Sequence, residues 1–380
     1  MRELSWPVRL LLVNQFGVNI GFYLLVPYLA GHLTGDLGLS AAVTGVILGA
    51  RNLSQQGLFL IGGSAADRLG ARPVIILGCA LRTTGFALFA FGDAVPLLLS
   101  AAVLSGLAGA LFNPAVRAYV AVAASDKVRA FALFNVFAQA GALCGPVLGG
   151  ALLLVDFRAA ALAAAAVFAV LTVAQVLALP AREVPRSGSS VLGDWRRCLT
   201  DRRFLAFTFA LSGMFALENQ LYLVLPLAAQ RATGTAGSVA LLFLVSTVVS
   251  LLFQVRITTW LREATSRDRA MALGLAVMGS GFLPLALLPG VVPVLVAVLA
   301  LAVGVMMAQP FVYERIGRFG GDSLSGTYFG VFYLVSGAVA AASTALIGWA
   351  GTAGAAVCSV IGLLCAAAVL VQERRTAVPT

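Results

Sequence analysis

Three ionisable side chains stand deep inside apolar stretches of this chain: Arg51, Arg82 and Glu218. A charge at that depth costs at least ~2.5 kcal/mol on insertion scales, so it normally faces a cavity or a partner and marks a working site. With a rise of about 1.5 Å per helical residue, Arg51 falls about 16 Å along its run, Arg82 about 13 Å and Glu218 about 22 Å. The arginines are thus expected near the middle of the membrane, and Glu218 between the middle and the outer surface. Glu218 is the one carboxylate well inside an expected helix, with Met214 and Tyr222 on its face. A carboxyl so placed can exchange a proton as a cavity opens and closes, or anchor a cationic ligand; a fixed ion pair with an arginine is the structural alternative. Arg51 and Arg82 keep their protons. They read as fixed charges that hold Glu218 or another acceptor, bind an anionic substrate, or are met by carbonyls and amides such as Gln55.

Polar residues at helical spacing accompany these charges: Gln15, Asn19 and Tyr23, then Asn135 and Gln139, then Gln309 and Tyr313. With Gln55 and Tyr222 they form the expected lining of a substrate cavity, although i, i+4 stripes serve equally as hydrogen-bonding glue between helices. Phe16, Phe22, Phe112, Phe137, Phe215 and Phe332 add an aromatic wall suited to lipophilic ligands where they face the cavity, and lipid-facing surface where they do not.

The elements that position these residues are membrane helices. The 380 residues are 61% apolar and 11% charged, with a mean hydropathy of +0.99, far outside the range of soluble globular proteins. Apolar runs long enough to cross a bilayer are expected at 7–31, 40–62, 73–92, 96–121, 127–153, 159–180, 203–229, 237–260, 269–288, 292–314, 322–348 and 353–372, giving an all-α integral membrane protein of twelve transmembrane helices. Basic residues, from Arg2 and Arg9 through Arg68, Arg72, Lys127 and Arg129 to Arg374 and Arg375, fall on one set of alternate ends, and the opposite ends hold only Arg158 and Arg231. That asymmetry accounts for the net charge of +10 without nucleic acid and places both termini in the cytoplasm. Residues 1–180 form an expected N-terminal six-helix bundle and 203–380 a C-terminal one. Between them, 181–202 reads as a cytoplasmic linker ending in a short amphipathic interfacial helix around Asp194, Trp195, Arg196 and Arg197. Two such halves have the hydropathy symmetry of a secondary transporter, with substrate bound between them.

Glycines punctuate two places. Gly63, Asp67, Arg68, Gly70 and Arg72, followed by Pro73, read as a tight cytoplasmic hairpin, because glycine permits backbone shapes closed to other residues and proline suits a first helical turn. Gly141, Gly145 and Gly149, with Pro146 and Gly150, recur on one helix face, where a neighbour can approach closely and the proline can bend the helix.

The series from Gly63 to Arg72 resembles the loop 2–3 signature of the major facilitator superfamily, with Ala71 at one usually basic position. The glycine-proline series from Gly141 to Gly150 is similar to the motif of that superfamily's antiporter branch. With Arg51 to Gly57, Arg82 to Ala87, Leu104 to Pro114 and Gly326 to Gly330, the chain resembles the twelve-helix drug:proton antiporters and, among them, bacterial multidrug-efflux proteins of the Mdt type. The resemblance implies two six-helix bundles, alternating access, and efflux of lipophilic drugs or antibiotics coupled to protons. It implies that the glycine-proline seam resists leak. It also places Asp67 beside the start of the eleventh helix, near 324–327, where amides and dipole favour a carboxylate. Arg68 and Arg72 would anchor to acidic groups, Arg117 would reach Asp67, and the assembly would act as a conformational latch. The arginine that antiporters of this kind carry in the fourth helix is absent, since 104–112 holds no charge.

Other classes are excluded or set lower. The five cysteines form no CxxC pair and lie mostly in apolar runs, His32 is the single histidine, and no phosphate loop or nucleophile constellation occurs. No enzyme activity, cofactor or metal is expected. An importer or exchanger of a small anionic metabolite using Arg51 and Arg82 is the alternative transport reading, and a non-transporting membrane sensor is the third. Expected partners are a lipophilic small molecule, protons and the lipid bilayer, with the chain a monomer in a bacterial inner membrane. Lys127, the only lysine, suggests a GC-rich genome.

Overall fold

The structure, a computed structural model, describes residues 4–181, 190–235 and 237–377. Arg2 and residues 182–189 of the expected linker, including Arg182 and Arg186, lie outside the described residues.

The first half comprises α1 (Trp6–Gly31), α2 (Ala41–Gly57), α3 (Phe59–Leu69), α4 (Ala71–Phe91), α5 (Val95–Ala123), α6 (Lys127–Leu153) and α7 (Phe157–Ala178). A short helix α8 (Val191–Thr200) precedes α9 (Arg202–Glu218), α10 (Val224–Thr233), α11 (Gly237–Ala264), α12 (Arg267–Leu287), α13 (Val291–Gly320), α14 (Ser325–Trp349) and α15 (Gly354–Ala377). Among the described residues there is no strand. Side-chain oxygens start several helices by accepting orphan amides: Ser40 from Val43, Asp201 from Arg203 and Phe204, and Ser266 from Arg269. Among the described residues, ten helices are long and apolar enough to cross a membrane. The other two expected crossings are interrupted, one between α2 and α3, the other between α9 and α10.

Both interruptions correct the sequence reading. The crossing expected at 40–62 breaks at Leu58 (φ −103°, ψ 4°), just after Gly57, and then continues as helix to Leu69. Gly63 is therefore helical, and the expected hairpin shrinks to Gly70 alone, whose φ of +89° turns the chain into α4. The helix expected unbroken at 203–229 ends at Glu218, passes through a 3-10 turn at Asn219–Leu221 and resumes at Val224. Pro226 contributes, since it has no N–H to give the Tyr222 carbonyl. It is not sufficient: α1, α5, α6, α12 and α13 run unbroken through Pro27, Pro114, Pro146, Pro284 and Pro310.

The described chain falls into two compact units, one of residues 1–126, 137–198 and 316–334, the other of 127–136, 199–315 and 335–380. In the first, α4 packs on α5 and α7 around Phe86, Phe112 and Phe168. Small residues set the spacing: a Cβ on Gly78 would stand 3.0 Å from that of Phe112, and one on Gly62 would collide with the Ala110 backbone. In the second unit α12 packs on α15 and α13 in the same way, with Gly279 against Gly362 and Gly274 against Gly304.

Candidate functional site

The first unit holds both deep arginines. Arg51 on α2 is 8% exposed and Arg82 on α4 is 4% exposed. Arg51 donates to Asn52 Oδ1 at 2.9 Å and to Gln55 Oε1 at 3.3 Å, and its guanidinium lies 4.6 Å from the centre of the Phe22 ring. Arg82 lies between the rings of Phe112 and Phe168, at 5.5 and 5.4 Å, with its Nε and one Nη without hydrogen-bond partners among the described residues. The two positive charges are close enough to repel each other, and Tyr23 is within electrostatic reach of Arg51. Neither arginine is ion-paired to a carboxylate among the described residues. Aromatic faces soften the cost of such burial without neutralising the charge.

Part of the expected cavity stripe is spent on helix pairing. Gln15 Nε2 donates to Asn19 Oδ1 at 3.2 Å, and Asn19 Nδ2 donates to the Ala138 carbonyl on α6 at 2.7 Å. The same α1–α6 seam carries the glycine-proline series. A Cβ on Gly141 would strike the Phe16 carbonyl, one on Gly145 would come within 2.7 Å of Tyr23, and one on Gly149 would strike the Leu24 carbonyl. Tyr28 closes the seam by donating to the Pro146 carbonyl at 2.6 Å, while a Cβ on Gly150 would meet only the Tyr28 hydroxyl, at 3.2 Å. Gln139 is half-buried. Behind the seam, buried Gln175 on α7 donates to Asn14 at 2.7 Å and to Cys79 at 3.3 Å. Sequence reasoning passed over Asn14 and Gln175, because neither belongs to an i, i+4 polar pair.

At the end of α3 the motif residues form a second cluster in the first unit. The 22 residues 41–62 already span about 33 Å, more than a hydrocarbon core, so Asp67 lies beyond the crossing. Its carboxylate accepts from the amides of Gly326 at 2.7 Å and Thr327 at 2.6 Å, the otherwise unpaired first-turn donors of α14. Burial pushes this carboxyl up to about 6 from an ordinary 3.8, against the opposite pull of the Thr327 and Gly326 donors. The approach depends on glycine: a Cβ on Gly63 would collide with the Gly326 carbonyl oxygen and lie 2.6 Å from its carbon. Ser64 packs 3.4 Å from Thr327 Oγ1 and accepts from Trp195 Nε1 of α8 at 2.6 Å. Arg68 pairs with Asp194 of α8 at 2.6 Å, and Arg72 donates to the Val176 carbonyl at 2.7 Å. Arg117 does not reach Asp67. Its Nη1 donates to the Asn113 carbonyl at 3.1 Å and the guanidinium covers the Tyr333 ring at 5.2 Å, contacts that engage it on its own helix turn and on an aromatic face.

In the second unit, Glu218 stands half-buried at the broken end of α9 rather than within a continuous helix. The break also undoes the expected shared face with Tyr222, which is 62% exposed and meets the Phe243 ring at 5.3 Å. Tyr313 is buried against Phe131, ring centres 5.4 Å apart, while Gln309 is half-buried and buried Asn135 has an Nδ2 without a partner among the described residues. A carboxylate the sequence reading missed is Glu314. Expected at the end of a helix, it is enclosed in α13, 3% exposed, and accepts from Arg267 Nε at 2.6 Å. Nearby pairs are Asp268 with Arg315 at 3.8 Å and Arg269 with Glu373 at 3.4 Å. No group of side chains suited to a metal ion occurs among the described residues.

The profile of the Major Facilitator Superfamily matches residues 11–344. An uncharacterized MFS-type transporter of Mycobacterium tuberculosis (strain H37Rv) is 43% identical over 350 residues, covering 88% of this chain and 84% of its own length. The multidrug resistance protein MdtH of Yersinia pestis (strain Pestoides F) is 30% identical over 323 residues, 84% of this chain and 80% of that protein. Among solved structures, the fucose:proton symporter FucP of E. coli aligns with a TM-score of 0.77 at 18% identity, covering 98% of this chain and 99% of that one. The human organic anion transporter MFSD10 aligns with a TM-score of 0.74 at 17% identity, covering 96% and 97%. These two likenesses concern the fold.

Proposed function

The chain belongs to the Major Facilitator Superfamily, a multi-pass membrane transporter rather than an enzyme, and from that premise we propose that it exports lipophilic drugs or antibiotics in exchange for protons. The observation that carries the reading is the 30% identity to MdtH, a multidrug resistance protein, over most of both chains. Transport proceeds by alternating access with cargo held near the membrane midplane. The protein works as a monomer in the bacterial inner membrane with both termini in the cytoplasm, in keeping with the arginine asymmetry.

Glu218 is the proton-exchanging or cation-anchoring group in this reading. Its position at a helix break is in keeping with that role, because irregular backbone at membrane depth is tolerated where it lines a cavity. The contact of Asp67 with the first turn of α14 is the cytoplasmic latch, formed in one state of the cycle and released in the other, and the α1–α6 glycine seam resists leak. Efflux of a lipophilic dye from energised cells tests the assignment of Glu218. Glu218→Gln removes the titratable proton and should lower efflux at least tenfold at equal expression; wild-type efflux would sink both roles.

A second reading has its own observation. Arg51 and Arg82 are buried with no carboxylate partner among the described residues, which favours cargo that brings an anionic group.

A further inference from the structure

Helix α8 has three distinct sides. Asp194 and Cys198, four residues apart, form a side that is 3% and 0% exposed. It is held by the Arg68–Asp194 pair and the Trp195–Ser64 hydrogen bond, both 2.6 Å. Leu192 and Leu199, seven residues apart and so nearly in line along a helix, form a second side that is 72% and 46% exposed. Arg196 is exposed and borders this leucine stripe, four residues after Leu192 and three before Leu199, while Gly193, Arg197 and Thr200 complete a polar third side. A helix with one side on protein, one apolar and bordered by arginine, and one polar has the form of a segment lying in a membrane surface. Its anchor points, Ser64 and Arg68, stand just past the membrane-crossing part of α3, at the level where acidic headgroups lie.

We propose that α8 docks an anionic phospholipid of the inner leaflet, Leu192 and Leu199 entering the acyl boundary and Arg196 meeting the headgroup, and that this docking tightens the grip of α3 on α14. The second clause rests on the latch reading of Asp67. Transmission is short. Docking fixes α8, Asp194 fixes Arg68 one residue from Asp67, and Trp195 fixes Ser64, which packs on Thr327. The amides of Gly326 and Thr327 point at Asp67, so their solvent exchange reports that grip directly. The bilayer fits the surface better than a protein partner does, because the stripe is one leucine wide and its neighbouring charge is positive, matching acidic headgroups.

The experiment uses the full chain in nanodiscs of phosphatidylcholine with or without phosphatidylglycerol. Lipid contact is read from Trp195 fluorescence, after Trp6, Trp260 and Trp349 are replaced by phenylalanine, using brominated phosphatidylglycerol or brominated phosphatidylcholine as quencher. Brominated phosphatidylglycerol should quench more strongly, and phosphatidylglycerol should slow amide exchange at 326 and 327 about fivefold, the effect of one arginine at an acidic surface. Arg196→Gln, on an exposed position, should remove both responses. Asp194→Asn should keep the quenching and lose the exchange response. Equal quenching by the two brominated lipids overturns the docking. Selective quenching with exchange at 326 and 327 unmoved overturns the coupling. If Asp67→Asn leaves that exchange as in the wild type, the latch reading itself fails while the lipid contact stands.

Discussion

Replacing Gly63 with alanine should open the α3–α14 contact without touching any charged residue. The added methyl would collide with the Gly326 carbonyl oxygen and lie 2.6 Å from its carbon and 3.1 Å from the Thr327 nitrogen. Carbon atoms pack at about 3.5 Å, so the helices must separate by about 1 Å. The Asp67 bonds to Gly326 and Thr327, now 2.7 and 2.6 Å, would stretch to roughly 3.6 Å and cease to be hydrogen bonds. Each bond to a charged acceptor contributes ~1.5–3 kcal/mol, so the loss is about 3–6 kcal/mol. Amide exchange at 326 and 327, measured by mass spectrometry on the full chain in nanodiscs, should accelerate at least about a hundredfold. Exchange elsewhere in the first unit, such as at the α4–α5 contact, should stay within a few-fold and so exclude general unfolding. Wild-type protection at 326 and 327 in Gly63→Ala would refute the account of this glycine and of the Asp67 contact it permits.

Two further outcomes follow from the same geometry. Because burial holds the Asp67 carboxyl at about 6, above the range of a solvated aspartate, the closed contact binds a proton more tightly than the open one does. Closure is therefore favoured below about pH 4, and that advantage is lost as pH rises through about 6; acidification from about pH 7.5 to about 5 should strengthen protection at 326 and 327 by at most about tenfold, after correction for intrinsic exchange. Asp67→Asn should flatten the pH dependence, and an unaltered profile in that variant would assign it to another group. If cargo brings an anionic group to Arg51, Arg51→Gln should weaken binding of salicylate at least tenfold and leave binding of tetraphenylphosphonium within twofold, measured by thermal stabilisation of the purified chain; equal losses for both ligands would return Arg51 to a packing role.

The membrane helices were legible because a run of about 20 apolar residues has few other uses. Their interruptions were less so. Leu58 carries no breaker of its own, and Gly57 before it is one of 40 glycines. Pro226 marks a missing donor for the Tyr222 carbonyl, but Pro27, Pro114, Pro146, Pro284 and Pro310 leave their helices unbroken, so a proline alone does not announce an interruption. Glu314 was missed because apolar content fades before the helix does, and the last turns of α13 are held by charge pairs instead. Glycine spacing at 141, 145 and 149 announced a close neighbour but not that α1 would supply it, since a stripe of small residues names no partner. The placement of Asp67 against 324–327 came from family resemblance rather than spacing, and its expected partner Arg117 came out differently. The docking of α8 on Ser64 and Arg68 had no sequence signal at all, for it joins residues about 130 positions apart by two polar contacts.

The claim of proton-driven export of lipophilic compounds meets its most direct test in transport by the purified chain in proteoliposomes. Ethidium, tetraphenylphosphonium and salicylate would be compared with and without an imposed pH gradient, with protein orientation determined. The account predicts that a lipophilic compound moves from the cytoplasmic side only while protons run the other way, and that Glu218→Gln uncouples the two. Movement of the same compound indifferent to the pH gradient, or accumulation toward the cytoplasmic side, would contradict it.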